Sequence, residues 1–304
     1  YVIEFIHSVW GSKDYFPGPQ PISIERRHFP IMKGGDYLVC EKTDGERHML
    51  VALTYDGKKK CLFVNRAFQM FEVPINLKKG AYDGTILDGE LYEGTLMVYD
   101  AVLVAGTSVW NKNLNERLEA AKSLMKSIIY MKSDKYRLKC KTFHHMRNFA
   151  MFMDVYLPTV QQKIDGLVFT PVNEPIRIGT HETMFKWKPL EKNTVDFLMK
   201  REPSRETPGF VPGIPSWRLY VQEKGKLYFE SEIPHNRIED KPWFEDGAIV
   251  ECAYVTWEEP LWWKPLKRRT DKTHPNNRRT FYRTIVNIKE NIQMKEFLDC
   301  RPKF

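Results

Sequence analysis

The stretch EKTDGER, residues 41 to 47, places a lysine two positions before an Asp-Gly pair and five positions before an arginine. Because Asp-Gly is typical of a tight hairpin turn, one interpretation is an ordinary charged turn with its side chains in solvent. The other interpretation is that Lys42 is a nucleophile, supported on its turn by Asp44 and Gly45. A lysine side chain is protonated at neutral pH, so a nucleophilic lysine needs nearby cations that disfavour its proton.

Further charged residues lie in short apolar segments along the chain. They are Glu90 in LDGELY, Asp165 in KIDGLVF, Lys186 and Lys188 in FKWKP, and Arg269, Asp271 and Lys272 in RTDKTHPN. Alternate residues of a strand point to the same face, so Lys186 and Lys188 would act on the same side. The alternatives are a solvated strand face for KWK and a simple basic loop for residues 264 to 283.

The elements that would position these residues read as a mixture of strands and helices. Alternating apolar runs and turn residues predict strands at 37–40, 49–54, 61–64, 85–92, 95–104, 164–171 and 183–189. The Asp-Gly pairs between the first three predict β-hairpins. A helical stripe begins near Asn115, and a second helical stretch is expected over 146–162. The prediction is an α+β domain of mixed antiparallel sheets with helices packed on them.

Proline and glycine become frequent near residues 189 to 215, which is typical of a domain boundary. The short β-type runs beyond it have the spacing of a small five-stranded barrel. The final residues, from RTIVNIKENI onward, are predicted to form a helix. We therefore expect domains at 1–192 and 193–290, with a C-terminal helix at 291–304 that packs back on the first domain.

The composition indicates the kind of partner that the protein binds and the compartment in which it works. The net charge of +8 and the pI near 9.1 favour a polyanionic partner, although solubility alone would also explain them. The five cysteines form no CxxC pair, and no apolar run is long enough to span a membrane. An intracellular protein of a reducing compartment is expected. Because the chain starts at Tyr1, it reads as a piece of a longer protein.

Taken in order, these motifs resemble the covalent nucleotidyltransferase superfamily, which comprises ATP-dependent polynucleotide ligases and GTP:mRNA guanylyltransferases (mRNA capping enzymes). Three features favour capping. The DKxxPN pattern at 271–276, the segment FPGPQPISIERRHF at 16–29 and NIKENI at 287–292 resemble capping enzymes, especially those of large DNA viruses. The resemblance covers the chain, and it implies a nucleotidyltransferase domain followed by an OB-fold β-barrel domain.

The resemblance also implies a role for each matched residue. Lys42 would attack the α-phosphate of GTP and carry GMP as a phosphoramidate. Mg²⁺ or Mn²⁺ would bind at Asp165 and Glu90, although Glu90 is also a candidate for holding the ribose. The residues implied to bind the nucleotide are Arg47, Arg66, Glu90, Lys141, Lys186, Lys188, Arg269, Asp271 and Lys272. Lys139 rivals Lys141 for reading the guanine, and the side chain that stacks on the base stays open.

The predicted partners follow from this chemistry. GMP would pass to the 5′-diphosphate end of RNA, with RNA triphosphatase and cap methyltransferase activities elsewhere in the parent chain or in other proteins. Trp243, Trp262 or Trp263 would either track RNA or pack in the core. A viral enzyme would work in the cytoplasm or virion, and a cellular one in the nucleus. The alternatives are an ATP-dependent polynucleotide ligase and a non-catalytic nucleic-acid-binding module.

Overall fold

A computed structural model describes residues 1–13, 15–203, 215–234, 237–259, 261–270 and 272–303. The chain divides into two compact units. The first comprises Tyr1–Trp187 and Met294–Phe304, and the second comprises Lys188–Gln293. Within the described residues, none of the helices combines the length and the apolar character that crossing a membrane requires.

Most of the secondary-structure elements in the described residues are strands. In chain order they are β1 (Gln20–Ser23), β2 (Tyr37–Thr43), β3 (Glu46–Tyr55), β4 (Lys58–Asn65), β5 (Met70–Glu72), β6 (Thr85–Tyr92), β7 (Thr95–Val104), β8 (Thr107–Ser108), β9 (Arg137–Cys140), β10 (His144–His145), β11 (Ile164–Pro171), β12 (Thr180–Trp187), β13 (Thr194–Pro203), β14 (Pro215–Glu223), β15 (Lys226–Glu232), β16 (Ile249–Val255) and β17 (Trp262–Arg268).

Two sheets build the first unit. Sheet A has the order β1-β12-β11-β2-β10, and sheet B has the order β5-β4-β3-β6-β7-β8 with β9 also paired to β7. Most pairs are antiparallel, whereas β1 with β12 and β7 with β9 are parallel. The predicted α+β class with mixed antiparallel sheets is confirmed.

One predicted hairpin is wrong, and the error concerns the Asp44-Gly45 turn. Strand β2 pairs with β11 and β10 in sheet A, whereas β3 pairs with β4 and β6 in sheet B. The turn therefore carries the chain from one sheet to the other. At Asp56-Gly57 the hairpin is as predicted, with φ angles of 51° and 72° that suit a tight β3–β4 turn.

The helices are α1 (Val2–Trp10), α2 (Phe29–Gly34), α3 (Leu114–Met125), α4 (Phe149–Met151) and α5 (Arg278–Glu290). The side chain of Asn113 caps α3 by accepting from the backbone N–H of Glu116 at 2.9 Å. The single helix predicted over 146–162 is instead a succession of 3₁₀, α, π and 3₁₀ turns over 146–159 that includes α4. Further 3₁₀ turns lie at Arg26–His28, Lys79–Asp83, Leu190–Lys192 and Met294–Cys300.

The C-terminal region contains two helical segments instead of the one predicted. Helix α5 ends because Asn291 adopts the left-handed conformation, with φ of 43°. The chain then forms the 3₁₀ turns of Met294–Cys300, which belong to the first unit. Phe297 is fully buried there, and its ring packs against those of Phe29, Phe149, Phe169 and Trp187.

The second unit is a five-stranded antiparallel sheet, as expected for an OB-like domain. Its order is β15-β14-β13-β16-β17, so the hydrogen-bonded pairing is open within the residues described. Helix α5 contributes Phe281 to the core of this unit. Trp262 and Trp263 are also buried in that core, and Trp243 packs against it. The suggestion that Trp262 or Trp263 tracks RNA is therefore wrong, whereas their alternative role in core packing is confirmed.

Candidate active site

Lys42 lies near the end of β2, opposite an irregularity in the neighbouring strand β11. The register pairs Thr43 with Ile164 and Glu41 with Leu167, so two residues of β11, Asp165 and Gly166, face one residue of β2. Such a bulge re-aims a side chain. The Lys42 Nζ atom donates to both carboxylate oxygens of Asp165, at 3.0 and 3.3 Å.

The crossing between the sheets fixes what lies beside Lys42. The backbone N–H of Asp44 donates to the carbonyl of Lys163 at 2.8 Å, which ties the turn to the residue before β11. A Cβ atom on Gly45 would lie only 2.3 Å from the carbonyl oxygen of Leu91. Glycine is therefore needed for the turn to pass this close to sheet B. These contacts hold the turn beside both sheets, and the support of Lys42 by Asp44 and Gly45 stays a prediction.

Arg47, at the start of β3, donates hydrogen bonds from all three of its guanidinium nitrogen atoms. Its Nε and Nη2 atoms donate to the carboxylate of Asp88 at 3.1 and 2.6 Å, and Nη1 donates to the carbonyl of Pro19 at 2.8 Å. The Tyr99 hydroxyl also donates to Asp88, at 3.1 Å. Burial is the largest influence and lowers the pKa of Arg47, but the interactions with Asp88, Tyr99 and Glu90 together outweigh it and raise the pKa above its ordinary value. Arg47 is thus a permanently charged, oriented cation.

Asp88 and Tyr99 are functional candidates to which the sequence analysis gave no role. The sequence signal was available for Asp88, since it lies two residues before Glu90 in LDGELY. Alternate residues of a strand lie on the same face, so Asp88 and Glu90 could have been recognised as a pair of carboxylates on one face.

Glu90 lies directly opposite Arg47 in the pairing of β3 with β6. Burial raises the pKa of this carboxyl group to about 7, although the charges of Lys42 and Arg47 act in the opposite direction. The backbone N–H of Gly45 also donates to Glu90. Carboxyl groups whose pKa is raised towards neutrality are frequent in functional sites, and this one lies beside the lysine.

Arg66 follows β4 and approaches the same region. Its guanidinium carbon lies 6.0 Å from the centre of the Phe16 ring, and that of Arg47 lies 5.1 Å from it. Burial and the charge of Arg47 both lower the pKa of Arg66. The two arginines therefore lie close together as a pair of like charges that a polyphosphate would neutralise.

Lys141 is buried, and its Nζ atom donates to the backbone carbonyl of Glu41. The same Nζ atom lies 3.6 Å from the Glu41 carboxylate, whose Oε1 atom also accepts from the Tyr156 hydroxyl at 3.4 Å. Lys139, the rival for reading the base, is exposed and lines a cavity of about 270 Å³ beside this cluster.

The remaining predicted residues divide between the units. Lys186 lies on β12 of sheet A, whereas β12 ends at Trp187 and Lys188 belongs to the second unit. In the second unit, Arg269 Nη1 lies 3.2 Å and Lys272 Nζ 2.6 Å from Oδ2 of buried Asp196. Asp271 lies outside the described residues. The structure thus groups Lys42, Arg47, Arg66, Glu90, Lys141, Asp165 and Lys186 in the first unit.

The described residues contain no group of three or more His, Cys, Asp or Glu side chains that would enclose a metal ion. Asp165 and Glu90 nevertheless place two carboxylates around Lys42. Mg²⁺ commonly binds to one or two carboxylates together with substrate phosphates and water. These residues therefore fit an ion that binds with a triphosphate.

A lysine on one sheet, with an arginine and a neutral-range carboxyl group on paired strands of the other sheet, has the residue types that a nucleotidyltransferase site needs. Residues 2–190 match the family described as "mRNA capping enzyme, catalytic domain", and residues 192–298 match "mRNA capping enzyme, C-terminal domain". The chain belongs to the mRNA capping enzyme family. The family prediction from the sequence is confirmed over the ligase and the non-catalytic alternatives.

Two relatives show the extent of the similarity. The "mRNA-capping enzyme subunit alpha" of Schizosaccharomyces pombe is 29% identical over 341 residues, covering 96% of this chain and 81% of the relative. The "mRNA-capping enzyme" of Danio rerio is 26% identical over 310 residues, covering 91% of this chain and 47% of the relative. The resemblance to viral members stays a prediction.

Proposed function

We propose that this chain transfers GMP from GTP to the 5′-diphosphate end of RNA through a covalent intermediate on Lys42. The observation that carries the residue assignment is the position of Lys42. Its Nζ atom donates to Asp165 at 3.0 Å within sheet A, and its charge interacts with Glu90, which pairs with Arg47 in sheet B.

In the first step, the Lys42 nitrogen attacks the α-phosphorus of GTP. A P–N bond forms, the bond from the α-phosphorus to the bridging oxygen breaks, and pyrophosphate leaves. The lysine must attack as the neutral amine, whereas in this structure it forms an ion pair with Asp165. The Lys42–Asp165 ion pair therefore has to loosen when the nucleotide binds.

The charges around Lys42 stabilise the triphosphate during this step. Arg47 and Arg66 bring two guanidinium groups, and Lys186 lies on the same sheet as Lys42. Mg²⁺ or Mn²⁺, held by Asp165 and Glu90 together with the phosphates, would supply compensation for the charge on the phosphates and on pyrophosphate. Lys188, Arg269, Asp271 and Lys272 are proposed to complete nucleotide binding from the second unit.

In the second step, a terminal phosphate oxygen of the RNA attacks the same phosphorus. The P–N bond breaks, the 5′-to-5′ triphosphate bridge forms, and Lys42 regains its proton. The required 5′-diphosphate end implies a prior RNA triphosphatase reaction, and a cap methyltransferase would act afterwards. We propose that both activities lie in other proteins or elsewhere in the parent chain.

The test is self-labelling with α-³²P-GTP or α-³²P-ATP in the presence of Mg²⁺, followed by denaturation. We expect acid-labile label from GTP in the wild type and none in Lys42→Ala. The matched control is Lys58→Ala, which removes an exposed lysine from the start of β4 and should label normally. Label that persists in Lys42→Ala would place the nucleophile elsewhere, and label from ATP alone would indicate a ligase.

A further inference from the structure

A row of side chains crosses sheet B and links the lysine site to a cavity. Arg47 pairs with Glu90, Glu90 pairs with Met97, and Met97 pairs with Lys139. Residues directly opposite each other in neighbouring strands share a face, and the strands are spaced by about 4.8 Å. Glu90 interacts with the charge of Lys42. A ligand that lies along this row would have one end at Lys42.

The other end of the row opens into the cavity. Met97 and Lys139 line it, together with Glu41, Thr142, Tyr156 and Val160. Its volume is about 270 Å³, several times what one water molecule needs. That volume suits one flat heterocycle. Since Lys42 receives the phosphate, the cavity lies where the base of the same nucleotide would bind, and this inference therefore rests on the proposed function.

The wall of this cavity contains a carboxylate with unused hydrogen-bonding capacity. The Glu41 side chain is only 2% exposed. Its Oε1 atom has contacts with Tyr156 and Lys141, but its buried Oε2 atom has no hydrogen-bond partner among the residues that the structure describes. Leaving a buried charged oxygen without a donor is costly. A ligand that brings N–H donors into the cavity would remove that cost.

We infer that Glu41 is a specificity-determining residue that accepts hydrogen bonds from the Watson–Crick edge of guanine. That edge carries two adjacent donors, the N1–H and the 2-amino group, beside the O6 acceptor. Glu41 supplies the acceptor oxygen, and Lys141, whose Nζ atom lies 3.6 Å from the same carboxylate, supplies a cation on the side of O6. Adenine has an acceptor at N1 and a donor at position 6, so it would meet both groups in the wrong order.

The competing explanation is that Glu41 only neutralises Lys141 and anchors Tyr156. Inosine triphosphate separates the two explanations, because hypoxanthine lacks only the 2-amino group of guanine. The initial rate of self-labelling at subsaturating nucleotide is measured with α-³²P-GTP and with α-³²P-ITP. The proteins are the wild type, Glu41→Gln and Tyr156→Phe, where the last removes the hydroxyl contact and leaves the Glu41 carboxylate in place.

We expect the wild type to label about tenfold or more faster with GTP than with ITP, the size of effect typical of a hydrogen bond to a charged group. The GTP-to-ITP ratio should fall towards one in Glu41→Gln and stay at the wild-type value in Tyr156→Phe. An unchanged ratio in Glu41→Gln, or an equal fall in both variants, would overturn the inference. Wild-type labelling by GTP tests the proposed function separately, so the two failures are distinguishable.

Discussion

The raised pKa of Glu90 gives a prediction about stability that does not depend on substrate. Burial raises this pKa from about 4.5 to about 7. Between these two pH values the folded chain keeps a proton that the unfolded chain has released. The free energy of unfolding therefore falls as the pH rises through this window, and the loss is complete above the folded pKa.

The size of the effect follows from the shift. A difference of about 2.5 pH units corresponds to about 3 kcal/mol, at 1.36 kcal/mol per unit. Glu90→Gln keeps the shape and an acceptor for the Gly45 N–H but carries no charge to bury. We therefore expect its stability, relative to the wild type, to increase by about 3 kcal/mol between about pH 4 and about pH 8.

Urea unfolding at a series of pH values measures this change. Because the chain has two units, the transition of the first unit is the one to follow. The matched control is the same substitution at an exposed position of α3, Glu119→Gln. If the Glu90→Gln difference is independent of pH, Glu90 is already ionised in the fold and the reasoning is refuted.

Two further substitutions test how the first unit is held together. Asp88→Asn should destabilise the protein by about 3–5 kcal/mol, because Arg47 would keep a buried charge without its carboxylate. Phe297→Ala should cost about 3–5 kcal/mol, since a fully buried ring would be replaced by a cavity. Both changes are read as shifts of the urea midpoint at pH 7, after correction for the slope.

Each of these substitutions has its own contradicting outcome. Tyr99→Phe removes only the hydroxyl that donates to Asp88, so it should cost about 1 kcal/mol. If Asp88→Asn costs no more than Tyr99→Phe, the ion pair with Arg47 contributes little. A cost below about 1 kcal/mol for Phe297→Ala would mean that the C-terminal segment does not complete the core of the first unit.

The strands were predictable from the sequence because their apolar periodicity and turn residues are local signals. The same signals failed at Asp44-Gly45, where the turn residues are those of a hairpin but the flanking strands pair in different sheets. Pairing depends on distant strands such as β11, and a turn dipeptide carries no information about them. The bulge that brings Asp165 to Lys42 could not be predicted either, because it arises from the pairing of β11 with the distant strand β2.

The charged residues of the site were found because they are unusual in apolar segments. Their acidic partners were given no role, because each partner becomes significant only beside the basic residue that it pairs with in the fold. Asp88 gains meaning only from the guanidinium of Arg47, and Asp196 only from Arg269 and Lys272. Glu41 sits next to Lys42 in the sequence, yet its unused oxygen becomes visible only once the surrounding cavity is known.

The return of residues 294–300 to the first unit has a consequence for synthesis on the ribosome. Phe297 is separated from the rest of that unit by residues 188–293, which form the second unit. At roughly 5–20 residues per second, translating about 100 residues takes about 5 to 20 seconds. Throughout that interval the nascent first unit lacks an aromatic ring of its core and exposes apolar surface. The enzyme is thus most vulnerable to aggregation while its second unit is being translated, when a chaperone would be most useful.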